Sequence, residues 1–296
     1  MNELFDKLIL RIVFTTFVCL FLYLYRYAHA FLYPSTKQQL FRSFFPSQNP
    51  SYSLHFFSRI IGLGIVLSSL QFDLKDGILL SLVDFLIIGT SAVFLYLLSI
   101  YIMESITLFN FDYSDEVLKR QNLSYSILSF SLSISLALVI NAILTEAGNS
   151  LISLLFMWMF SIVILGFAVK GYKFITKLNL NRLVIQKNLS TAFSFSGYCL
   201  GFSLIISSSF HQKAEGIQSY TVLVLLRILL SGITFPIFKK GLMYSFNLKD
   251  DFENKENLDE INWGYGIFEG SLFLTSCLLT SIITGQIKFG SFYPIF

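Results

Sequence analysis

Five charged side chains interrupt long apolar stretches of the 296-residue chain: Arg11, Arg59, Asp84, Arg227 and Glu269. On insertion scales a charge at the centre of a bilayer costs about 2.5 to 3.5 kcal/mol and has to find a partner or water. Two chemistries are open to such a set. Opposite charges on neighbouring helices can pair and hold a bundle together, or they can line a polar conduit or coupling site. Four asparagines, Asn49, Asn122, Asn188 and Asn262, give the depth scale. Arg11 and Asp84 each stand 38 residues ahead of one of them and Arg227 stands 35 ahead, whereas Arg59 and Glu269 lie ten and seven residues past one, about midway in their segments. In a closed ring of hairpins Arg59 and Glu269 would differ by only about 4.5 Å in depth and about 60° in direction. The expectation is therefore an Arg59–Glu269 ion pair, with Asp84 answered by Arg227. Arg11 is near enough to one surface to snorkel.

Other chemistries find little footing. His29, His55 and His211 fall in different segments with no carboxylate or cysteine at ligand spacing, so no metal site is expected. Cys19, Cys199 and Cys277 lie inside apolar stretches and read as small packing residues. Gly62-Leu63-Gly64 resembles a phosphate loop but lacks the strand, the third glycine and the acidic partner of a dinucleotide site. With no catalytic motif and no cofactor site in view, the chain is not expected to be an enzyme or to bind nucleic acid.

The elements that must position the charges follow from composition. With 54% hydrophobic and 13% charged residues, the chain has too little polar surface to cover a soluble globule. Eight apolar stretches, near 8–26, 53–71, 77–106, 123–145, 150–171, 189–209, 217–237 and 263–284, are long enough to cross about 30 Å of hydrocarbon as helices. The third is overlong and is expected to tilt or to leave the membrane toward Glu104. The reading is an all-α, polytopic membrane protein, one domain over 1–296, in which eight helices form four parallel hairpins. The repeats run over about 1–74, 75–147, 148–213 and 214–296.

The asparagines carry that repeat. Nine residues after them stand Ser58, Ser131, Gly197 and Ser271, and thirteen after them Gly62, Ser135, Gly201 and Thr275. These offsets fall within about 40° on a helix, so the second helix of every hairpin bears a narrow small-residue stripe. Helices associate in lipid through close van der Waals contact and interhelical hydrogen bonds, which favours such residues at a seam. The stripe is thus expected to pack inward, with the first helices toward lipid and a pseudo-rotation about the membrane normal relating the hairpins. The alternative is a hydroxyl-lined path between the repeats, for which the run Ser124, Ser126, Ser129, Ser131, Ser133, Ser135 is the best argument. Each asparagine fits an N-cap.

Sidedness follows from lysine and arginine. Loops inside the hairpins hold fourteen, from Arg26 and Lys37 to Lys249 and Lys255, with Lys239 and Lys240 counted among them. The opposite side has Lys7, Lys75, Lys213 and Lys288. This places the intra-hairpin loops in the cytoplasm and both termini outside. The sequons at Asn122 and Asn188 would then face the cytoplasm, unglycosylated. Ala28-His29-Ala30 has the form of a signal-peptidase site, but Glu3 and Asp6 deny the preceding region a net positive charge, and cleavage would remove the partner of the second helix.

The segment Lys187-Asn188-Leu189-Ser190-Thr191-Ala192, followed by Gly197 and Gly201, resembles the signature of the bacterial membrane family of domain of unknown function 350, built of tandem transmembrane hairpins. The first hairpin departs from it with Asn49-Pro50, the second replaces its glycines by serine, and the fourth has Asn262-Trp263 and Thr275. The resemblance implies a multi-pass protein of the bacterial inner membrane, sometimes encoded near envelope-stress or polyamine-linked genes, with no catalytic residues to carry over. The expected function is a non-catalytic subunit that anchors or senses within a membrane-associated complex, its partners reached through loops 172–187 and 247–261. The alternative is an ion or small-solute channel or transporter. Association into a homo-oligomer is compatible with either.

Overall fold

A computed structural model describes residues 2–37, 40, 46–70, 77–148, 150–212, 216–246 and 263–287. Eight of its helices are long and apolar enough to span a membrane. The first hairpin is α1 (Asn2–Leu32) and α2 (Pro50–Ser68), the second α3 (Ile78–Thr107) and α4 (Leu123–Ala147). The third comprises α5 (Leu151–Thr176), a short loop helix α6 (Leu180–Ile185) and α7 (Leu189–Phe210); the fourth is α8 (Ile217–Ser245) and α9 (Trp263–Gly285). Hydroxyls in the lipid-facing stretches are satisfied locally, as where Thr15 and Thr16 of α1 donate to the carbonyls of Arg11 and Ile12 at 2.7 and 2.8 Å.

The asparagines start the striped helices as caps. Asn49 Oδ1 accepts from the Tyr52 N–H at 2.9 Å, Asn122 from Tyr125 at 3.3 Å and Asn188 from Thr191 at 2.9 Å. Asn262 lies outside the described residues, as do Lys249 and the acidic run Asp250–Glu260. Gln121 and Lys187, immediately ahead of two of the caps, adopt φ of 47° and 57°, which turns the chain sharply into the helix. The asparagine amides also reach forward. Asn49 Nδ2 donates to the Val117 carbonyl and Asn122 Nδ2 to the Val184 carbonyl, both at 2.9 Å, so each cap is tied to the loop that precedes the next striped helix.

The striped helices stand in a row, α2 beside α4, α4 beside α7 and α7 beside α9, with the other four helices outside it. Burial matches that order: it is greatest in α4 and α7, smaller in α2 and α9 and least in α1, where Phe21, Tyr25 and His29 are the buried ones among its described side chains. Ser58, Gly62, Ser131, Ser135, Gly197 and Gly201 are all buried in the seams. A Cβ at Gly197 would run into the Gly270 backbone, and one at Gly201 into Cys277. Serines stitch the first seam, with Ser51 Oγ 2.6 Å from Ser126 Oγ and Ser133 Oγ donating to the Ser58 carbonyl at 3.1 Å.

The row corrects the expected ring. The ends α2 and α9 form no seam with one another, so Arg59 and Glu269 belong to separate places. It also corrects the fourth stripe, because Ser271 and Thr275 face outward. Both follow from one cause: each stripe packs on the back of the next striped helix, and the last has no successor. Lys239 and Lys240, counted above as loop residues, lie within α8.

Candidate functional site

Arg59 enters the bundle from the third turn of α2 and is 1% exposed. Its guanidinium forms an ion pair with Glu104, near the end of α3, and donates to Ser58 Oγ at 2.7 Å, to Ser129 Oγ at 2.5 Å and to the Ser129 carbonyl at 3.1 Å. Glu104 also accepts from the Ser129 hydroxyl, and its other oxygen from Tyr33 Oη at 2.7 Å. The carboxylate thus gathers α2, α3, α4 and the residue that follows α1 around one charge. A buried pair holds only when its remaining donors and acceptors are met, and serines and a tyrosine largely meet them here.

Two histidines extend the cluster. His55 Nε2 lies 3.7 Å from Glu104 Oε1, and neither ring nitrogen of His55 makes a hydrogen bond. His29 Nδ1 is 3.0 Å from Tyr25 Oη, and its ring centre is 6.0 Å from that of His55. Both rings are fully buried. Among the described residues no group of three or more His, Cys, Asp or Glu is placed to hold a metal. Tyr33 and Tyr113 pack tilted by 33° with ring centroids 4.3 Å apart, just outside the spans. Burial raises both phenols well above their usual range, and Glu104 raises Tyr33 further.

Glu104 is the one charged member with an outlet. At 12% exposure it meets a cleft of ≈ 390 Å³ walled by Tyr33, Tyr101, Phe111, Tyr113 and Tyr125. In the opposite direction Leu63, Val66, Leu132, Leu136 and Ile140, none more than 1% exposed, fill the bundle. The site is a polar dead end, open toward the asparagine side of the membrane.

The sequence-derived charges part company around this site. Arg59 has Glu104, not Glu269, for its counter-charge. Asp84 is exposed on the outer face of α3, and no ion pair links it to Arg227. Arg227 instead donates to the carbonyls of Ser208, Gly285 and Ile287 at 3.0 to 3.2 Å, with the Gln212 amide oxygen on the same guanidinium. It pins the ends of α7 and α9, and carbonyls suffice because an arginine's charge can be spread over several acceptors. Glu269, 2% exposed, accepts from Ser194 Oγ at 2.6 Å. Glu104 is not among the charges the sequence marks for pairing, because it sits near a helix end, where a carboxylate ordinarily reaches water; the signal for it is an apolar segment that resumes past it at Ile106.

The sequence profile of the family described as Domain of Unknown Function (DUF350) matches residues 3–144 and again 146–283. The chain belongs to that family. No curated protein and no solved structure matches it. The two DUF350 units each contain two hairpins, and aligning Asn49 with Asn188 and Asn122 with Asn262 superposes their polar sites in sequence. Tyr33 then corresponds to Tyr172, His55 to Ser194, Arg59 to Tyr198 and Ser129 to Glu269. In the second unit Tyr172 Oη lies 2.9 Å from Ser194 Oγ, which donates to Glu269. Among the described residues, each DUF350 unit therefore sets a carboxylate at this polar site, Glu104 from α3 in the first and Glu269 from α9 in the second. Tyr198, at the place of Arg59, donates to the Ala168 carbonyl at 2.6 Å.

Proposed function

We propose that this DUF350 protein is a non-catalytic subunit of a bacterial inner-membrane complex, anchoring or sensing for cytoplasmic partners. The observation that carries this reading is the stretch from the last two turns of α5 to the start of α7. Lys170, Lys173, Lys177, Arg182 and Lys187 are all exposed there, while Val184 and the Asn122 tie hold α6 in place. A fixed surface of clustered cations suits an acidic protein face at the membrane border. The positive-inside bias puts this surface, and the mouth above Glu104, in the cytoplasm, with both termini periplasmic. Reconstitution tests the reading: liposomes bearing the protein should pass ions no faster than protein-free liposomes. Reversing Lys173, Lys177 and Arg182 to glutamate should shrink the native complex without lowering the folded yield.

The runner-up is a channel or transporter, and the observation favouring it is the recurrence of a carboxylate at the polar site of both units, Glu104 and Glu269. An ion flux abolished by Glu104→Gln or Glu269→Gln would establish that reading instead.

A further inference from the structure

The three seams of the row share one construction. A stripe at offsets +2, +9 and +13 from its asparagine packs on the back of the next striped helix: Ser51 on Ser126 in the first seam, Ser135 on Cys199 in the second, and Gly197 on Gly270 and Gly201 on Cys277 in the third. The row ends on two half-seams of this kind. On α9 the stripe residues Gly264, Ser271 and Thr275 all face outward. On α2 the back is outward as well, with Ile61 49% exposed and open space where a Cβ would stand on Gly64. Tandem-repeat proteins ordinarily close their terminal units with an outer surface unlike the interior. The α9 end keeps the small residues of the interior stripes, which facing lipid gain nothing over leucine unless another helix approaches; the α2 end offers Gly64 as a gap between the larger Phe57 and Ile61.

We infer that copies of this chain assemble head to tail in the membrane, the outward stripe of α9 in one copy seating on the back of α2 in the next. The occupant is a second copy because the contact continues a seam the chain already builds three times, and each copy holds both halves. It is a heterologous interface, which closes into a ring or runs on as a file of molecules. Its register follows from the third seam. Gly201 at +13 meets Cys277 at +15, so Thr275 of one copy should meet Gly64 of its neighbour.

The test uses full-length protein lacking Cys19, Cys199 and Cys277, with Thr275→Cys in one tagged copy and Gly64→Cys in a differently tagged copy. Oxidation of membranes that hold both should give a dimer carrying both tags, several-fold above membranes holding either alone. A Thr275→Cys homodimer as the main product would mean a two-fold contact and overturn the proposal. So would failure to cross-link when both thiols react with a small alkylating reagent. Native mass spectrometry of the wild type in nanodiscs, which needs no cysteine variant, should show two or more copies per particle, reduced to one by Ser271→Trp but not by Gly232→Trp on the lipid side. Wild-type particles of single chains at every concentration would also overturn it.

Discussion

The Arg59–Glu104 pair makes a charge balance that mutation can unsettle from either side. Glu104→Gln leaves the buried guanidinium without a counter-charge, and Arg59→Met leaves the carboxylate with only hydroxyl donors. Each single change is expected to cost about 3 to 5 kcal/mol, and the double change much less than their sum. Thermal unfolding in detergent, read as a double-mutant cycle, checks this; additive losses would mean that the pair is not a unit. The asparagines admit a graded comparison. Asn188→Ala removes a cap worth about 1 kcal/mol. Asn122→Ala removes a cap, the tie to Val184 and a 2.7 Å hydrogen bond to the buried Glu116, so it should lower the unfolding temperature more. The caps were legible in the sequence because they depend on an atom three residues away. The partner of Arg59 was not, because Glu104 reaches it through the packing of α3 on α2 and α4, which no local spacing encodes.

At the scale of elements, the small residues divide by what stands opposite them. Gly197 faces the Gly270 backbone, so Gly197→Leu must separate α7 from α9 and is expected to cost about 1 to 3 kcal/mol or more. Gly232 of α8 has open space where a Cβ would go, and Gly232→Ala should stabilise by about 0.5 to 1 kcal/mol. The same unfolding measurement separates the two, and equal effects would contradict the seam. The helices, their caps and the buried side of three stripes were readable because apolar length and 3.6-residue periodicity fix them. The order of packing was not. A stripe tells which face is covered, but the covering face is mixed, Ser126 and Ser133 in one helix, Gly266 and Gly270 in another, and it carries no pattern strong enough to distinguish a row from a ring.

For the whole molecule, sidedness is the first quantity to measure. In intact cells Lys173→Cys should resist a membrane-impermeant thiol reagent and react once the membrane is opened; labelling in intact cells would invert the topology. The row has a bearing on how the chain comes to be built. In a ring the last hairpin must find the first, and the structure stays incomplete until synthesis ends. In this row every seam joins hairpins adjacent in the chain, and the forward-reaching amides of Asn49 and Asn122 bind the loop that leaves the ribosome next. Each hairpin can therefore dock on a finished neighbour as it is inserted, with no search across the membrane. A nascent chain arrested beyond α4 should already hold its Arg59–Glu104 contact and resist protease, although half of the protein does not yet exist.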